Sequence, residues 1–439
     1  MTDKKISITV PVLARVEGEG ALELNIEQGK ISHLKLNIFE PPRLFEKFLE
    51  GRHYTEIPDI VARICGICPV AYQMSAVHAF ENLFEVDSGK WVKDMRRLFY
   101  CGEWIESHAL HIHLLAAPDF LGFNSAPEMA KKFPMEVKRG IQIQHAGNQI
   151  VKFLGGRSVH PVGVKVGGFF HAPTKNEAKV LLNSLKALLP QVEQLLPWVA
   201  SLDSPNISQA FTSVTLSSPA SNPISSPADY PFFSDNIISS ANHDIAITDY
   251  DNYFKETHEP HSTALFNSLE GKPYLVGPLA RLNMNFNLLP DKIKNTALDV
   301  GLNFPSQNMY QSISARAIEI WFAFFESIRI LERYTKPDSP YVEVTAKAGI
   351  AYGCSEAPRG FLWHRYEVDD QGLIRNARIV PPTSQNQARM EEDLYHSITE
   401  LGLDQDEDKI RLHAEQIIRN YDPCISCATH FLDLRLKRS

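Results

Sequence analysis

Two Cys-x-x-Cys pairs constrain this chain more than any other feature of its sequence. One pair spans Cys65 to Cys68, and the other spans Cys424 to Cys427. About 350 residues separate the pairs, so they form one site only if the fold brings both ends of the sequence together. Zinc ribbons and fingers usually keep both ligand pairs within roughly 15 to 40 residues of each other. The spacing therefore favours a buried metal site that spans the fold over a local zinc knuckle.

The chain is long enough to bury such a site. Its 439 residues exceed the roughly 250 to 300 at which a single core normally stops growing, so two or three sub-regions are expected. Hydrophobic residues make up 44% of the chain, charged residues make up 22%, and the formal net charge is −8. This balance gives no electrostatic footprint for nucleic acid or an anionic membrane and favours small-molecule or protein partners.

The sequence also predicts a cytoplasmic protein without membrane insertion. The N-terminal residues lead into a polar-interrupted strand rather than an apolar signal core, and no run of about 18 apolar residues is present. Six cysteines are too few for a disulfide scaffold in a chain of this length. Reducing surroundings favour metal binding or catalysis for the paired four, and ordinary burial for Cys101 and Cys354.

Apolar periodicity predicts a mostly helical α+β fold, which we expect to form one unit over 1–439. Residues 6–38 alternate apolar and polar side chains, as in a small β meander, and alternation returns over 341–380. A final helix at about 404–419 leads to the second cysteine pair and closes a C-terminal region over 404–430. Between these regions lies a helical body over 43–335. Its segments with helical spacing are Arg43–Glu85, Lys93–Leu115, Asn176–Leu202 and Ser312–Tyr334.

The helical body contains one segment of different composition. Residues 216–242 are rich in Ser, Pro and Asn, as in the run from Leu216 to Pro223. Such composition is typical of loops. It predicts a long surface excursion between helical halves.

The residues around the two cysteine pairs resemble a known family. Arg63 to Cys68 reads R-x-C-G-x-C, and Asp422 to His430 reads D-P-C-x-x-C-x-x-H. In this order and position the two patterns resemble the large, catalytic subunit of nickel-iron hydrogenases. Arg15 to Gly20 is similar to the family's R-I-E-G-H-G element, and Glu356 to Gly360 matches its E-A-P-R-G loop. The resemblance covers the whole chain and implies that family's large-subunit fold, with long central helices and a small N-terminal β-sheet.

The sequence after the first cysteine pair refines this resemblance. Cys68 to Gln73 reads C-P-V-A-Y-Q and is similar to the cytoplasmic bidirectional branch of the family, which couples dihydrogen to NAD(P) or another soluble carrier and includes the sulfhydrogenases. The implied reaction is the reversible heterolytic cleavage of dihydrogen to two protons and two electrons.

The resemblance also implies the metal ligands. Cys65 and Cys424 are expected to be terminal nickel ligands. Cys68 and Cys427 are expected to bridge nickel to an iron that carries carbon monoxide and two cyanides. The residue types agree with this chemistry, because soft thiolates suit nickel and low-spin iron and can take up a proton.

Four catalytic residues follow from the same motifs. Cys424 is expected to be the transient base and Glu17 the first station of the proton exit. Arg359 is expected to hang over the open metal face, although its position after Pro358 is also typical of an exposed turn arginine. Asp422 either starts the turn before the next proline or, as its place beside two ligands favours, pairs with Arg359 or tunes the metal.

The remaining implied site residues surround the iron and a separate magnesium ion. Pro358, Pro382 and Thr383 are expected to contact the metal cofactor, with Thr383 donating a hydrogen bond to a cyanide. Glu46 and His430 are expected to bind magnesium. A backbone carbonyl near Ile379 or Val380 is a candidate third ligand, in keeping with the few carboxylates and several waters that magnesium prefers.

Histidines near the site have a structural interpretation. His108 and His111 share a helical face, but we expect them to be hydrogen-bonded helix residues beside the active site rather than metal ligands. Trp363 to Arg365, after the arginine loop, is expected to serve packing.

Two positions depart from the family pattern. Tyr72 stands where many members have a histidine. Ser107, next to Glu106, stands where respiratory-type members carry an aspartate above the metals. We therefore expect an acidic canopy reduced to Asp422 and a weaker electrostatic hold on Arg359.

The chain carries no evident electron path of its own. Cys101 and Cys354 are the only other cysteines, and no G-x-G-x-x-G unit follows a strand. The resemblance implies an iron-sulfur small subunit, flavin-containing diaphorase subunits that use NAD(P), and a maturation protease with nickel-insertion proteins. Residues 431–439 are either a precursor extension that this protease removes or a short retained tail. The alternative functions are a non-catalytic relative, such as a complex I quinone-site-type subunit, and a zinc-stabilised scaffold.

Overall fold

Helices dominate the described chain, which is residues 6–217 and 230–429 of a computed structural model. Within these residues the α-helices are α1 Phe45–Leu49, α2 Ile57–Val61, α3 Pro69–Phe84, α4 Gly89–Leu110, α5 Ala117–Phe120, α6 Ala126–Ala130, α7 Pro134–Gly155, α8 Lys175–Glu193, α9 Leu195–Ala200, α10 Tyr250–Tyr253, α11 Pro278–Asn285, α12 Asp291–Asp299, α13 Ser312–Glu332, α14 Pro382–Leu401, α15 Glu407–Tyr421 and α16 Ile425–Ala428. The strands are β1 Ile6–Val10, β2 Gly20–Glu27, β3 Lys30–Ile38, β4 Val164–Lys165, β5 Gly168–Phe169, β6 Val214–Leu216, β7 Asn236–Ser239, β8 Asp244–Ala246, β9 Phe254–Thr257, β10 Phe266–Leu269, β11 Gly349–Ala357, β12 Gly360–Val368 and β13 Ile374–Val380. A π-helical turn covers His111–Ala116, and 3-10 turns cover Ile247–Asp249, Phe286–Leu288 and Met309–Gln311.

The N-terminal strands form the small sheet that the alternating pattern predicts. Strands β1, β2 and β3 pair antiparallel in that order. Gln28 and Gly29 join β2 to β3 with φ angles of 52° and 72°. Two successive positive φ values suit the two-residue hairpin turns whose twist matches antiparallel strands. The buried face of this sheet shares a hydrophobic core with α14 and α15.

The long helices α3, α4, α7 and α13 contribute to a second, larger core. Helix α13 closely matches the segment predicted from helical spacing. The segment predicted over Asn176–Leu202 is divided into α8 and α9. The helical spacing over Arg43–Glu85 corresponds to α1, α2 and α3, whereas the sequence pattern does not single out α7 and α14. The predicted α+β class with long central helices is confirmed.

A three-stranded antiparallel sheet of β11, β12 and β13 follows the helical body. Ala357 pairs with Gly360, so Pro358 and Arg359 alone form the turn between β11 and β12. This turn, which we call the arginine turn, therefore has both of its ends fixed by strand pairing.

The prediction of a surface excursion over 216–242 is wrong for much of its described part. Asn236–Ser239 is a strand that pairs with both β6 and β8. Tyr230 and Phe232 are fully buried, and the ring centroid of Phe232 lies 4.5 Å from that of Trp104. The Ser, Pro and Asn content of the segment predicts an exposed loop. The described part near Tyr230 is instead held in the core by its buried aromatic side chains. Residues 218–229 lie outside the described residues.

The four paired cysteines lie where the two cores meet. Their side chains belong to the larger core, whereas Ile425, between the second pair, belongs to the core of the N-terminal sheet. None of the helices in the described part of the chain is long and apolar enough to cross a membrane.

Candidate metal centre

Four buried thiols converge at one point. The Sγ atoms of Cys65, Cys68, Cys424 and Cys427 all lie within 4.8 Å of one another. Cys65 Sγ lies 3.5 Å from Cys424 Sγ, and Cys68 Sγ lies 3.6 Å from Cys427 Sγ. None of the four forms a disulfide. The fold therefore brings together both pairs that the sequence analysis singled out.

The first pair lies at the start of α3. Cys68 precedes Pro69 at the first helical position, where a missing N–H has no cost. The N–H groups of Ile67 and Cys68 donate to Cys65 Sγ at 3.3 and 3.1 Å. The buried carboxylate of Glu103 accepts from the N–H of Val70 at 2.5 Å and thus caps the helix from outside. These contacts fix the direction of both sulfurs.

The second pair lies just after α15. That helix ends at Asp422, whose φ of 56° turns the chain sharply before Pro423. The N–H of Cys424 then donates to Thr383 Oγ1 at 3.0 Å. Thr383 is thereby placed beside the centre, with its own hydroxyl hydrogen still available to a ligand. Pro382, the residue before it, is also buried.

Two residues from the N-terminal part of the chain hold the second pair in place. The carbonyl of Glu17 accepts from Ile425 N–H at 3.0 Å, and Glu17 Oε2 accepts from Ser426 N–H at 3.1 Å. Arg43 donates to the carbonyl of Ile64 at 2.6 Å and also to the carbonyl of Ser426. Arg43 thus bonds to the chain next to both cysteine pairs. No motif signalled its role, because its partners are backbone atoms distant in sequence.

The arginine turn carries a buried guanidinium to the centre. Arg359 is 2% exposed, and it donates to the carbonyl of Asp422 at 2.6 Å and to its Oδ1 at 3.0 Å. Arg316 lies 3.4 Å from the other carboxylate oxygen of Asp422. Arg359 Nη1 is buried without a hydrogen-bond partner. Asp422 both turns the chain before Pro423 and pairs with Arg359 through its side chain, and Arg359 is buried rather than part of an exposed turn.

The charges in this region depend on one another. Burial opposes ionisation of Asp422, but the positive charge of Arg359 leads the effects that lower the pKa of this carboxyl below its usual range. Burial likewise opposes the charge on Arg359, but Asp422 and the neighbouring thiolates raise its pKa. Arg359 therefore stays charged above the thiols.

The thiols themselves titrate as a group. Burial raises the pKa of Cys424, and its hydrogen bonds with the other thiols raise it further. Burial also opposes ionisation of Cys65, but hydrogen bonds from the other three thiols lower its pKa. A bound metal ion deprotonates coordinating thiols outright.

Glu106, Ser107 and Tyr72 lie at or next to the positions that depart from the family pattern, and all three are buried. Glu106 is buried, and its pKa is raised by burial and by the charge of Cys65. The expectation that Asp422 is the only acidic group above the thiols is therefore incomplete, because Glu106 on α4 also faces this region. Ser107 Oγ and Tyr72 Oη are buried without hydrogen-bond partners.

The histidines of α4 and the π-helical turn are bonded within the protein. His108 Nε2 lies 2.8 Å from Glu319 Oε2, and His111 Nε2 lies 2.8 Å from the carbonyl of Arg419. Among the described residues, the four cysteines are the only group of three or more His, Cys, Asp or Glu with metal-binding geometry. The structural interpretation of His108 and His111 agrees with these contacts.

Glu46 lies at a separate small cavity. Its Oε1 accepts from the N–H of Ile379 at 2.7 Å. The cavity has a volume of about 100 Å³ and is lined by Glu46, Glu256, Leu265, Arg378, Ile379, Pro381, Ser384 and Ala428. His430, the other expected magnesium ligand, lies outside the described residues.

The donor set fits a soft redox-active metal. Four thiolates in a dry, enclosed site suit nickel, iron or zinc rather than magnesium or calcium. A structural zinc ion is closed by its four ligands and binds no substrate. Such a site gives no reason to bury a charged arginine with an unpaired Nη1 beside it. The buried arginine with its unpaired Nη1 therefore favours a reactive metal centre over a purely structural zinc site.

Comparison with known proteins gives the family. The model of the nickel-dependent hydrogenase family matches residues 43–140 and 241–430. The chain therefore belongs to the nickel-dependent hydrogenases, as the cysteine motifs predict. This membership disfavours both a zinc scaffold and a non-catalytic relative.

Relatives match along almost the whole chain. Sulfhydrogenase 1 subunit alpha of Pyrococcus furiosus is 31% identical over 99% of this chain and 100% of its own length. NAD-reducing hydrogenase HoxS subunit beta of Cupriavidus necator is 29% identical over 97% of this chain and 95% of its own. Among solved structures, an NAD⁺-reducing [NiFe]-hydrogenase in the H2-reduced state superposes with a TM-score of 0.87 at 26% identity, covering 97% of this chain and 99% of that one. The fold is that of a hydrogenase large subunit.

Proposed function

We propose that this chain is the catalytic subunit of a [NiFe] hydrogenase that converts dihydrogen reversibly into two protons and two electrons. The observation that carries the proposal is the cluster of four buried thiols, with Sγ atoms within 4.8 Å, beside the unpaired Nη1 of Arg359. When bound, a nickel-iron group supplies a soft, electron-rich centre that binds dihydrogen and takes up two electrons. The protein supplies the thiolates, the charge and the proton path.

The two short sulfur distances support a division of ligand roles. We assign Cys65 and Cys424, 3.5 Å apart, as terminal nickel ligands. We assign Cys68 and Cys427, 3.6 Å apart, as the pair that bridges nickel to an iron with carbon monoxide and two cyanides. This division follows the order of the cysteines in the two motifs, and each pair joins one sulfur from each motif.

We propose that the proton leaves through Cys424 and Glu17. Cys424 Sγ takes one proton as dihydrogen is cleaved, and the carboxylate of Glu17 accepts it next. Glu17 is half-buried, and its carboxylate accepts a hydrogen bond from the N–H of Ser426, which follows Cys424 by two residues in the sequence. A carboxylate held by a backbone N–H changes its protonation without moving the chain.

Arg359 and its neighbours shape the open side of the centre. The guanidinium is anchored through Nε and Nη2 on Asp422, and its Nη1, which has no partner, is the donor available to a reacting molecule. A fixed positive charge in a water-excluded site stabilises charge that develops as the hydrogen bond polarises. Pro358 and Pro382 provide apolar walls, and the hydroxyl of Thr383 is a donor for a cyanide.

The Glu46 cavity supports a structural magnesium site. Glu46 and His430 are the proposed ligands, with a backbone carbonyl near Ile379 or Val380. Glu256 on the same cavity wall adds a second carboxylate for bound waters. This sparse set of protein ligands agrees with the preference of magnesium for retained waters.

The electrons require partner subunits. We propose a small subunit with iron-sulfur clusters, joined by flavin-containing diaphorase subunits, and a cytoplasmic location with NAD(P) or polysulfide as the acceptor. The likeness to an NAD-reducing hydrogenase and to a sulfhydrogenase supports both acceptors. Nickel-insertion proteins and a maturation protease complete the proposal, with residues 431–439 either removed by this protease or retained as a short tail.

The purified native complex tests this function. Metal analysis is expected to find nickel and iron, and infrared spectra are expected to show stretching bands of carbon monoxide and cyanide. Dihydrogen uptake is measured first with a viologen dye and then with NAD⁺, NADP⁺ and polysulfide. Zinc without nickel, or no dihydrogen uptake by nickel-loaded protein, contradicts the proposal. Intact mass of the same sample decides whether the tail to Ser439 is retained.

A further inference from the structure

The arginine turn is held from behind by a second, deeper arginine. Arg281 on α11 is completely buried. Its Nη1 donates to the carbonyl of Ala357 at 2.9 Å, and its Nη2 donates to the carbonyl of Pro358 at 3.0 Å. These are the two peptide groups that immediately precede Arg359. The path of the chain into Arg359 therefore depends on Arg281.

Arg281 has no freedom to leave this position. Its Nε and Nη2 donate to the two carboxylate oxygens of Glu319, both at 2.7 Å, and its Nη1 donates to Glu356 at 2.9 Å. The guanidinium also lies over the ring of Trp104, 4.3 Å from the ring centroid. A guanidinium has five N–H donors. Three serve the two carboxylates and two serve the arginine turn, so every donor is used.

The acceptors of Arg281 are themselves fixed. Glu319 also bonds to His108 Nε2 at 2.8 Å and accepts from Tyr230 Oη at 2.9 Å. Glu356 accepts from Thr215 Oγ1 at 2.6 Å and from Leu216 N–H at 2.9 Å. His108 and Glu319 lie on the long helices α4 and α13, Thr215 and Leu216 lie on β6, and Tyr230 is fully buried. The arginine turn is therefore held against the core through the side chain of Arg281.

The opposite side of the turn is equally confined. Gly277, just before α11, has a φ of 116°, and a Cβ at this position would lie 2.8 Å from the carbonyl oxygen of Arg359. The side chain of Arg359 then reaches forward to Asp422. The turn is thus fixed by Arg281 behind, Gly277 beside and Asp422 in front.

We propose that Arg281 is a positioning residue for the reaction: it sets the height and direction of Arg359 above the thiolates through the carbonyls of Ala357 and Pro358. The inference rests on the proposed function, because it assumes that Arg359 acts on dihydrogen at the thiolate site. Lysine keeps the positive charge for Glu319 but lacks the planar fork that donates to two carbonyls and two carboxylates together. Arg281→Lys therefore separates positioning from charge balance.

The experiment uses the complete complex and compares Arg281→Lys with a matched control. Arg96 on α4 is another buried arginine with a carboxylate pair, donating to Glu81 through two bonds of 2.6 Å, and it does not touch the turn. Turnover is expressed per bound nickel, with viologen as the acceptor. Arg281→Lys is expected to lower kcat by about tenfold or more, because small misplacements of an orienting group are costly. Arg96→Lys is expected to stay within about twofold of the native complex, because it leaves the transition-state contacts unchanged.

A double variant tests whether Arg281 acts through Arg359. In an Arg359→Ala background, adding Arg281→Lys is expected to cause no further loss, because no cationic side chain remains on the turn to be positioned. An equal loss in both backgrounds overturns the inference, and so does an Arg281→Lys complex with native kcat. If Arg281→Lys does not assemble with nickel, Glu319→Gln weakens the support of Arg281 and is judged by the same cycle. A native complex that takes up no dihydrogen contradicts the proposed function and the inference together, whereas an active one with an unaffected Arg281→Lys contradicts the inference alone.

Discussion

Glu17 Oε2 accepts a hydrogen bond from the N–H of Ser426 at 3.1 Å, across 409 positions of sequence. This contact joins the N-terminal segment to the stretch between Cys424 and Cys427. It gives Glu17 two roles, because the same carboxylate that holds the second cysteine pair is the proposed proton acceptor. The two roles are separable by substitution.

Glu17→Gln tests the proton role while keeping the contact. The amide oxygen of glutamine still accepts from Ser426, so nickel content is expected to remain native. Glutamine cannot take up the proton, and kcat for dihydrogen oxidation is expected to fall by about 100-fold or more. Glu19→Gln is the control, because Glu19 is exposed and its side chain has no assigned role. Native turnover in Glu17→Gln would show that the proton leaves by another route.

Cys68→Ser and Cys427→Ser test the bridging thiolates. A hydroxyl is a poor ligand for soft metals, so both variants are expected to lose dihydrogen oxidation and metal assembly together. Nickel and iron analysis with a viologen assay measures both. Cys101→Ala is the control, because burial raises the pKa of the Cys101 thiol to about 12 and keeps it inert. Activity retained by either serine variant refutes the ligand assignment.

Ser107→Asp tests the electrostatics above the centre. Ser107 Oγ is buried without a partner, and Glu106 beside it already carries a pKa raised by burial. A second carboxylate at this position is expected to change the ratio of dihydrogen oxidation to production and the response to oxygen. Protein-film voltammetry measures both quantities. Ser107→Asn keeps the shape without the charge, and equal behaviour of the two variants argues that charge has no part.

The buried carboxylate of Glu326 predicts a pH-dependent stability. Burial alone would raise its pKa, but the hydrogen bonds from Arg329 and the charges of Arg97 and Arg329 more than offset this and lower the pKa to about 2. A depressed pKa stabilises the fold above the unfolded value near 4.5, and this stabilisation is lost as the pH falls toward 2. The full effect is about 3 kcal/mol.

Glu326→Gln is therefore expected to lower the urea midpoint at neutral pH, and its difference from the native protein is expected to shrink by about half between pH 5 and pH 3 and to vanish only below about pH 2. Glu85→Gln is the control, because Glu85 pairs with Lys347 at an exposed site, where ion pairs contribute little. A constant difference between Glu326→Gln and the native protein from pH 7 to pH 3 contradicts the prediction.

The motifs allowed most of the centre to be predicted. Cys65, Cys424, Glu17 and Arg359 were expected at one site, and the fold brings them together. Motifs succeed here because side chains that touch a metal or a proton must have a fixed type at a fixed spacing.

The supporting residues could not be predicted in this way. Arg43 and Arg281 act on backbone carbonyls, which any residue supplies, so their partners leave no pattern in the sequence. Glu103 caps α3 from another helix for the same reason. The segment near Tyr230 was wrongly predicted to be exposed for a different reason. Its composition is dominated by polar residues, whereas its few aromatic residues decide its burial. Predicting these features requires the three-dimensional contacts.

The separation of the cysteine pairs has a consequence for protein synthesis. Cys65 and Cys424 are 359 positions apart. At roughly 5 to 20 residues per second, the ribosome adds Cys424 roughly 20 to 70 s after Cys65. Throughout that interval the first pair is a two-thiolate half-site, with Arg43 and Glu17 lacking their later partners. Such a half-site attracts any soft metal ion in the cell, so selective loading with nickel has to follow translation rather than accompany it.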